Sequence, residues 1–141
     1  MVIDKIKVKN YKIFQEKTIH LNDNVNIFVG ENDAGKSTIL EIVNLITTGK
    51  INGYFIDRQI TANFFNYEVR KNYIENIKSG KYAELPEIMI EAYCKNKEDS
   101  EFRGTNNTLG EDCPGIAFYY TFNQDNADIY KRKLKEGEIL D

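Results

Sequence analysis

The 141-residue sequence predicts a mixed α/β fold, and three observations carry that prediction. A short β-rich run, Val25-Asn26-Ile27-Phe28-Val29, leads into a glycine-bounded octet, Gly30 to Ser37. An apolar segment with helical spacing, Ser37 to Thr48, follows at once. Two later β-rich runs, Glu87 to Cys94 and Ile116 to Phe122, come after a second helical segment. The order is strands, helix, helix, strands. It implies a mixed sheet with an added antiparallel layer rather than a regular βαβ repeat.

Each element has its own signal. From Val2 to Lys9, Val2, Ile6 and Val8 share one face with Asp4, while Ile3, Lys5, Lys7 and Lys9 share the other. That alternation predicts a half-buried strand. The three lysines read as the solvated face of an edge strand, where positive charge discourages pairing with another chain. The other reading is a strip for nucleic-acid phosphates, with Lys12 and Lys17 close by in sequence. A turn at Asn10-Tyr11-Lys12 leads to a second strand, Phe14 to Leu21, and Asn22-Asp23-Asn24 makes the next turn. The richer apolar content of Val25 to Val29 suits a buried strand.

In Ser37 to Thr48, the residues Ile39, Leu40, Ile42, Val43, Leu45 and Ile46 are apolar nearly all the way round, which predicts a helix buried on most sides and ending at Gly49. Lys50 to Asn63 reads as loop. Phe65, Val69, Tyr73 and Ile77 recur every four residues, so Phe64 to Ser79 reads as a second helix. Lys95 to Gly115 is polar and glycine-rich and reads as a long hairpin loop, and Ala127 to Lys135 reads as a weak third late strand. Tyr67, Tyr73, Tyr119 and Tyr120 could stack bases, but at helix and strand spacing they read as core or half-core residues.

Composition narrows the classes. Hydrophobic residues at 41% and charged residues at 29% describe a globular chain. A formal charge of −3 argues against a uniformly basic nucleic-acid binder. No apolar run approaches the roughly 20 residues of a membrane helix, and the N-terminus has no signal- or transit-peptide pattern, so the expected location is the cytoplasm without membrane attachment. Two cysteines and one histidine, without ligand spacing, give neither a zinc site nor a disulfide framework.

The octet Gly30-Glu31-Asn32-Asp33-Ala34-Gly35-Lys36-Ser37 fits G-x-x-x-x-G-K-[ST]. Glycines let successive backbone N–H groups curl round a phosphate, and the helix that follows adds the positive end of its dipole. Lys36 is placed to reach the outer phosphates, and the Ser37 hydroxyl to occupy a Mg²⁺ position. The expected cofactors are therefore a nucleoside triphosphate and Mg²⁺. Asn96-Lys97-Glu98-Asp99 fits N-K-x-D and Asp112-Cys113-Pro114-Gly115 fits D-x-x-G, two motifs of GTPases. Their order here is the reverse of the GTPase order, which disfavours that reading.

Lys5-Ile6-Lys7-Val8-Lys9-Asn10-Tyr11-Lys12-Ile13-Phe14 and the run from Asn26 through the octet to Thr38-Ile39-Leu40 resemble the start of the SMC/RecF/OLD group of ABC-type ATPases. The variant G-E-N-D-A-G-K-S-T looks most like the OLD family of ATP-dependent nucleases. The resemblance is close over residues 1 to 46 and architectural beyond. It implies a P-loop NTPase fold and an ATP site at Gly30, Glu31, Asn32, Asp33, Ala34, Gly35, Lys36, Ser37 and Thr38. It places Lys12 where relatives carry an arginine that could touch a phosphate or the adenine. Gln59 and Gln124 are the candidates for the glutamine that contacts Mg²⁺ in such heads. It further implies DNA as partner, self-association into a dimer or higher oligomer, and a role in DNA processing or antiviral defence. The alternatives are an SMC/RecF-type repair ATPase without a nuclease, and a non-catalytic nucleotide-binding module.

The sequence also departs from that pattern. It has no apolar run ending in Asp-Glu (the Walker B arrangement), no S-G-G-type signature and no Toprim-like acidic cluster, so it identifies no catalytic residue. Residues 1–141 read as the N-terminal part of one ATPase head: 1–50 with the phosphate loop and first helix, 51–80 with a loop and helix, and 81–141 with antiparallel strands. The rest of the head is expected downstream.

Overall fold

A computed structural model describes residues 2–31, 35–95 and 103–137. Among these residues, seven strands and three α-helices run in the order β1 (Ile3–Tyr11), β2 (Phe14–His20), α1 (Lys36–Thr48), β3 (Lys50–Ile51), β4 (Tyr54–Phe55), α2 (Tyr67–Lys78), β5 (Ile88–Cys94), β6 (Arg103–Gly104), β7 (Cys113–Tyr120) and α3 (Ala127–Glu136). The architecture is the mixed α/β class the sequence predicts. Its main sheet has the order β2-β1-β5-β7-β6, and every described pairing in it is antiparallel.

β1 pairs with β2 on one side and β5 on the other, so it is an interior strand, not the expected edge. Its alternation is nonetheless real. Ile6 and Val8 are fully buried opposite Ala92 and Ile90, and they join Ile42, Leu45 and Ile46 of α1 in one apolar cluster. Each such aliphatic side chain contributes roughly 1.5–3 kcal/mol by leaving water. Lys5 and Lys7 lie on the opposite face, where the loop between β6 and β7 crosses the sheet. Lys5 pairs with Glu111 at 2.5 Å and lies 5.1 Å above the Tyr93 ring, while Lys7 donates to Thr108 Oγ1 at 3.0 Å. Two of the three lysines are therefore engaged by their own chain. β5 is buried along its whole length because α1 covers one face and this loop the other.

Five sequence expectations are corrected. Val25 to Val29 is not a strand, and Val25, Ile27 and Val29 are 67%, 80% and 87% exposed. Only Phe28 of that run packs against the core. β-rich composition produces a strand only where a neighbour accepts its hydrogen bonds, and none of the described strands lies beside it. The first helix is buried on one side only: Ile42, Leu45 and Ile46 face the sheet, whereas Leu40 is 61% exposed. Ala127–Glu136 is a helix, not a strand, with Tyr130 as its buried anchor. Three of the four tyrosines are less buried than expected: Tyr67, Tyr119 and Tyr120 are exposed, whereas Tyr73 is half-buried. α2 begins at Tyr67, three residues later than expected, after a 3₁₀ turn at Ala62–Phe64.

Candidate functional site

The site is built at the start of α1. Gly35 precedes the helix with φ +86°, a left-handed conformation that favours glycine, and its carbonyl accepts from Ile39 N at 2.9 Å. Among the described residues no side chain caps this end of the helix, and its first turn contains no acidic residue. Several N–H groups therefore point out of the helix without intrahelical acceptors, at the positive end of its dipole. Lys36 and Thr38 are half-buried and Ser37 is exposed. Among the described residues, no hydrogen bond or ion pair engages the side chains of these three. Gly30 and Glu31 are exposed on the approach to the loop. Asn32, Asp33 and Ala34 lie outside the described residues.

This donor set fits a phosphate with its metal. A helix start left uncapped and an ammonium left unpaired by the described residues, with an exposed hydroxyl beside them, supply attraction for anionic oxygen and one oxygen ligand for a hard cation. A Mg²⁺ held by the Ser37 hydroxyl would neutralise phosphate charge. Among the described residues no cluster of three histidine, cysteine or carboxylate side chains could hold a metal by itself.

The turn between β1 and β2 braces this end of α1. A Cβ on Gly35 would meet Phe14 Cζ at 3.0 Å and Ile13 Cγ2 at 3.1 Å, so the turn packs directly on the last glycine of the loop. Asn10 and Lys12 both have positive φ, at 57° and 47°. Such a conformation costs a non-glycine residue of order 1–3 kcal/mol and persists only when its surroundings fix it. Here they do. Lys12 N donates to Phe64 O at 2.8 Å, Asn66 N donates to Asn10 O at 3.1 Å, and Asn66 Nδ2 donates to Lys12 O at 2.9 Å. Asn66 also caps α2 through Oδ1, which accepts from Glu68 N and Val69 N.

The sequence-predicted residues separate into those gathered here and those used elsewhere. Lys12 does reach α1, but its ammonium contacts Glu41, at 2.6 Å from Oε1 and 2.8 Å from Oε2, above the Phe64 ring at 4.8 Å. The Tyr11 hydroxyl donates to the same carboxylate, and burial together with that bond holds the phenol well above its ordinary pKa. Gln59 is committed to the β3–β4 hairpin, donating to the carbonyls of Ile51 and Tyr54 at 3.0 and 2.7 Å. Gln124 opens an exposed 3₁₀ turn. The N-K-x-D run lies outside the described residues. In the D-x-x-G run, Asp112 forms a two-pronged pair with Arg103 at 2.9 and 2.7 Å. Gly115 of the same run lies so close to β5 that a Cβ would come 2.5 Å from Ala92 O. Both are parts of the sheet's β7 side.

The sequence analysis did not single out the structural roles of three polar residues. Glu41 and Asn66 are single polar residues whose partners come from distant segments, so no local pattern marks them. Glu91 breaks the apolar run of β5 and is 1% exposed. It accepts from the hydroxyls of Tyr93 (2.5 Å) and Tyr119, and from Thr108 Oγ1 (2.7 Å) and Thr108 N (3.0 Å). Burial alone would raise its carboxyl, but the bonds from Tyr119, Tyr93 and Thr108 outweigh burial and hold it below its usual value. Burial, then the bond to Glu91, pushes the phenols of Tyr93 and Tyr119 up to about 12. This network ties the β6–β7 loop to the sheet.

With the geometry in place, comparison with known proteins decides the family. Residues 1–139 match the AAA ATPase domain. The chain belongs to that family. This AAA ATPase domain is also similar to several proteins named DNA replication and repair protein RecF. That of Clostridium kluyveri is 32% identical over 145 aligned residues, covering 99% of this chain and 38% of that protein. That of Acetivibrio thermocellus is 40% identical over 50 residues, 36% of this chain and 14% of that protein. That of Staphylococcus haemolyticus is 28% identical over 90 residues, 64% and 23% of the two chains. The AAA ATPase domain described here therefore spans less than two fifths of the length of these curated relatives. No helix among its described residues is long and apolar enough to cross a membrane.

Proposed function

We propose that this chain is the ATP- and Mg²⁺-binding part of an SMC/RecF-type ABC ATPase head, and that the whole protein acts on DNA in repair. The observation that carries the reading is the open start of α1. Gly35 delivers a helix end, and beside it Lys36 and Ser37 have no side-chain partner among the described residues. Gly30, Glu31 and Gly35 to Thr38, with Asn32 to Ala34 between them in sequence, form the phosphate loop, and Ser37 supplies the oxygen ligand to Mg²⁺. Phosphoryl transfer relies on positioning and electrostatics. The residues here bind and orient the phosphates, and the carboxylates that align an attacking water belong to another part of the head. Similarity to proteins named for DNA replication and repair supports DNA as the partner and favours the repair branch over the OLD nuclease reading. Self-association of heads around ATP goes with this proposal.

The test is titration of Mg-ATP into the wild-type protein and into Lys36→Ala, with GTP as competitor. The expected result is binding by the wild type, a loss of about 30-fold or more in Lys36→Ala at an unchanged melting temperature, and preference for ATP over GTP. Equal binding by the two proteins overturns the phosphate-loop assignment. A preference for GTP returns the GTPase reading.

A further inference from the structure

Lys12 stands where the family resemblance expects a cation on the nucleotide, yet its geometry describes a different task. Both oxygens of Glu41 lie within 2.8 Å of its ammonium, and the Tyr11 hydroxyl donates to the same carboxylate. Tyr11 is fully buried and Lys12 is held by backbone hydrogen bonds to Phe64 and from Asn66, so neither partner is a loosely placed surface group. Glu41 follows Ser37 by four residues, about one helical turn along the same face of α1. The first turn of α1 has no acidic residue, and Glu41 is the first carboxylate along the helix. An uncompensated carboxylate there would repel a polyphosphate and weaken the helix-end field that attracts it.

We propose that Lys12 and Tyr11 serve the phosphate site by masking Glu41, so that Lys12 is a positioning and charge-compensating residue and not a direct phosphate ligand. This rests on the nucleotide reading above and says how one of its residues acts. The carboxylate also has a use of its own. By accepting from Tyr11 and Lys12 it fastens the β1–β2 turn to α1, beside the point where Phe14 packs on Gly35. The turn is held by an anion placed close to an anion-binding loop, and the lysine offsets that conflict.

A direct phosphate ligand and a mask predict opposite outcomes when both charges are removed. The experiment measures Mg-ATP affinity for the wild type, Lys12→Gly, Glu41→Gln and the double variant, with Lys36→Ala as control. Glycine suits the positive φ of residue 12, so Lys12→Gly removes the cation without straining the turn. An uncovered unit charge roughly 10 Å from a polyphosphate weakens binding by about tenfold at the effective dielectric of a protein surface. The expected results are binding about tenfold weaker in Lys12→Gly, wild-type affinity or better in Glu41→Gln, and recovery to within about twofold of wild type in the double variant. The Lys12→Gly loss should shrink as salt is raised from 0.05 to 0.5 M, values chosen at roughly the span over which screening sets in. A double variant as weak as Lys12→Gly, or wild-type affinity in Lys12→Gly itself, overturns the masking role while leaving the nucleotide site intact. Failure of the wild type to bind, or binding by Lys36→Ala equal to it, overturns the nucleotide reading and the mask together.

Discussion

Phe14 packs its ring edge against the α-carbon of Gly35, leaving only 3.0 Å between Phe14 Cζ and the place a Cβ would occupy. A strand residue from the first hairpin thus sets the position of the residue that starts α1. Gly35→Ala meets two penalties, the left-handed backbone at φ +86° and the contact with Phe14 and Ile13. The expected destabilisation is about 2 kcal/mol, read as a lower urea midpoint at unchanged slope. Gly35→Ala with Phe14→Leu should regain part of it, because the shorter side chain removes the closest contact. A neutral Gly35→Ala would mean that the loop start is free to shift.

Asn66 combines two tasks in one side chain: Oδ1 caps α2 and Nδ2 holds the carbonyl of Lys12. Replacing it with alanine removes an N-cap, typically about 1 kcal/mol, and leaves a turn carbonyl without its donor, about 1 kcal/mol more. Asn66→Asp keeps the cap and loses the donor, so it should lie about halfway between. Thermal unfolding of the three proteins checks the order, and an aspartate variant as stable as wild type would remove the bracing role.

Glu91 makes stability depend on pH at both ends. Its folded carboxyl titrates below its ordinary value, so its contribution is present above that value and is lost as pH falls through the lower folded one. Tyr93 and Tyr119 titrate up to about 12 when folded, above the ordinary 10.0, so their contribution is complete below that value and is lost as pH rises towards 12. Glu91→Gln should flatten the acid side of the stability profile and cost about 3 kcal/mol at neutral pH, because the donors lose a charged acceptor. Urea unfolding from pH 3 to pH 11, values chosen at roughly the limits where most side chains survive the titration, gives the profile. An unchanged acid limb in the variant would remove Glu91 from the account.

Much of this fold was legible. The alternation in β1, the helix that starts after Gly35, the apolar side of α1 and the strand at β5 each follow from local spacing. The misses have particular causes. Val25, Ile27 and Val29 have strand-like side chains, but composition does not say whether a pairing partner is present. In α3, Ala127, Tyr130 and Leu134 recur at helical spacing among the lysines, a stripe that the high charge of the segment obscured. The Asn52-Gly53 pair, with φ of 51° and 82°, turns the short β3–β4 hairpin and is a standard hairpin signal inside a segment read as loop. The contacts of Lys12 with Glu41 and of Glu91 with Tyr119 join residues far apart in the chain. Only the folded backbone brings such pairs together.

The interior position of β1 has a consequence for synthesis on the ribosome. β1 and β2 leave the exit tunnel before β5 and can pair at once, but the other side of β1 waits for β5, which follows α1 and α2 in the chain. During that interval the nascent hairpin carries an open edge, and the helix that bears Lys36 has no completed sheet to pack against. Non-local pairing of this kind is slow and leaves apolar surface temporarily uncovered. Stalled nascent chains ending before Ile88 should therefore be cut readily by protease within residues 1–50, whereas chains with Tyr120 outside the tunnel should resist. The phosphate loop precedes β5 in the chain, so part of its mechanical support arrives only after the loop itself.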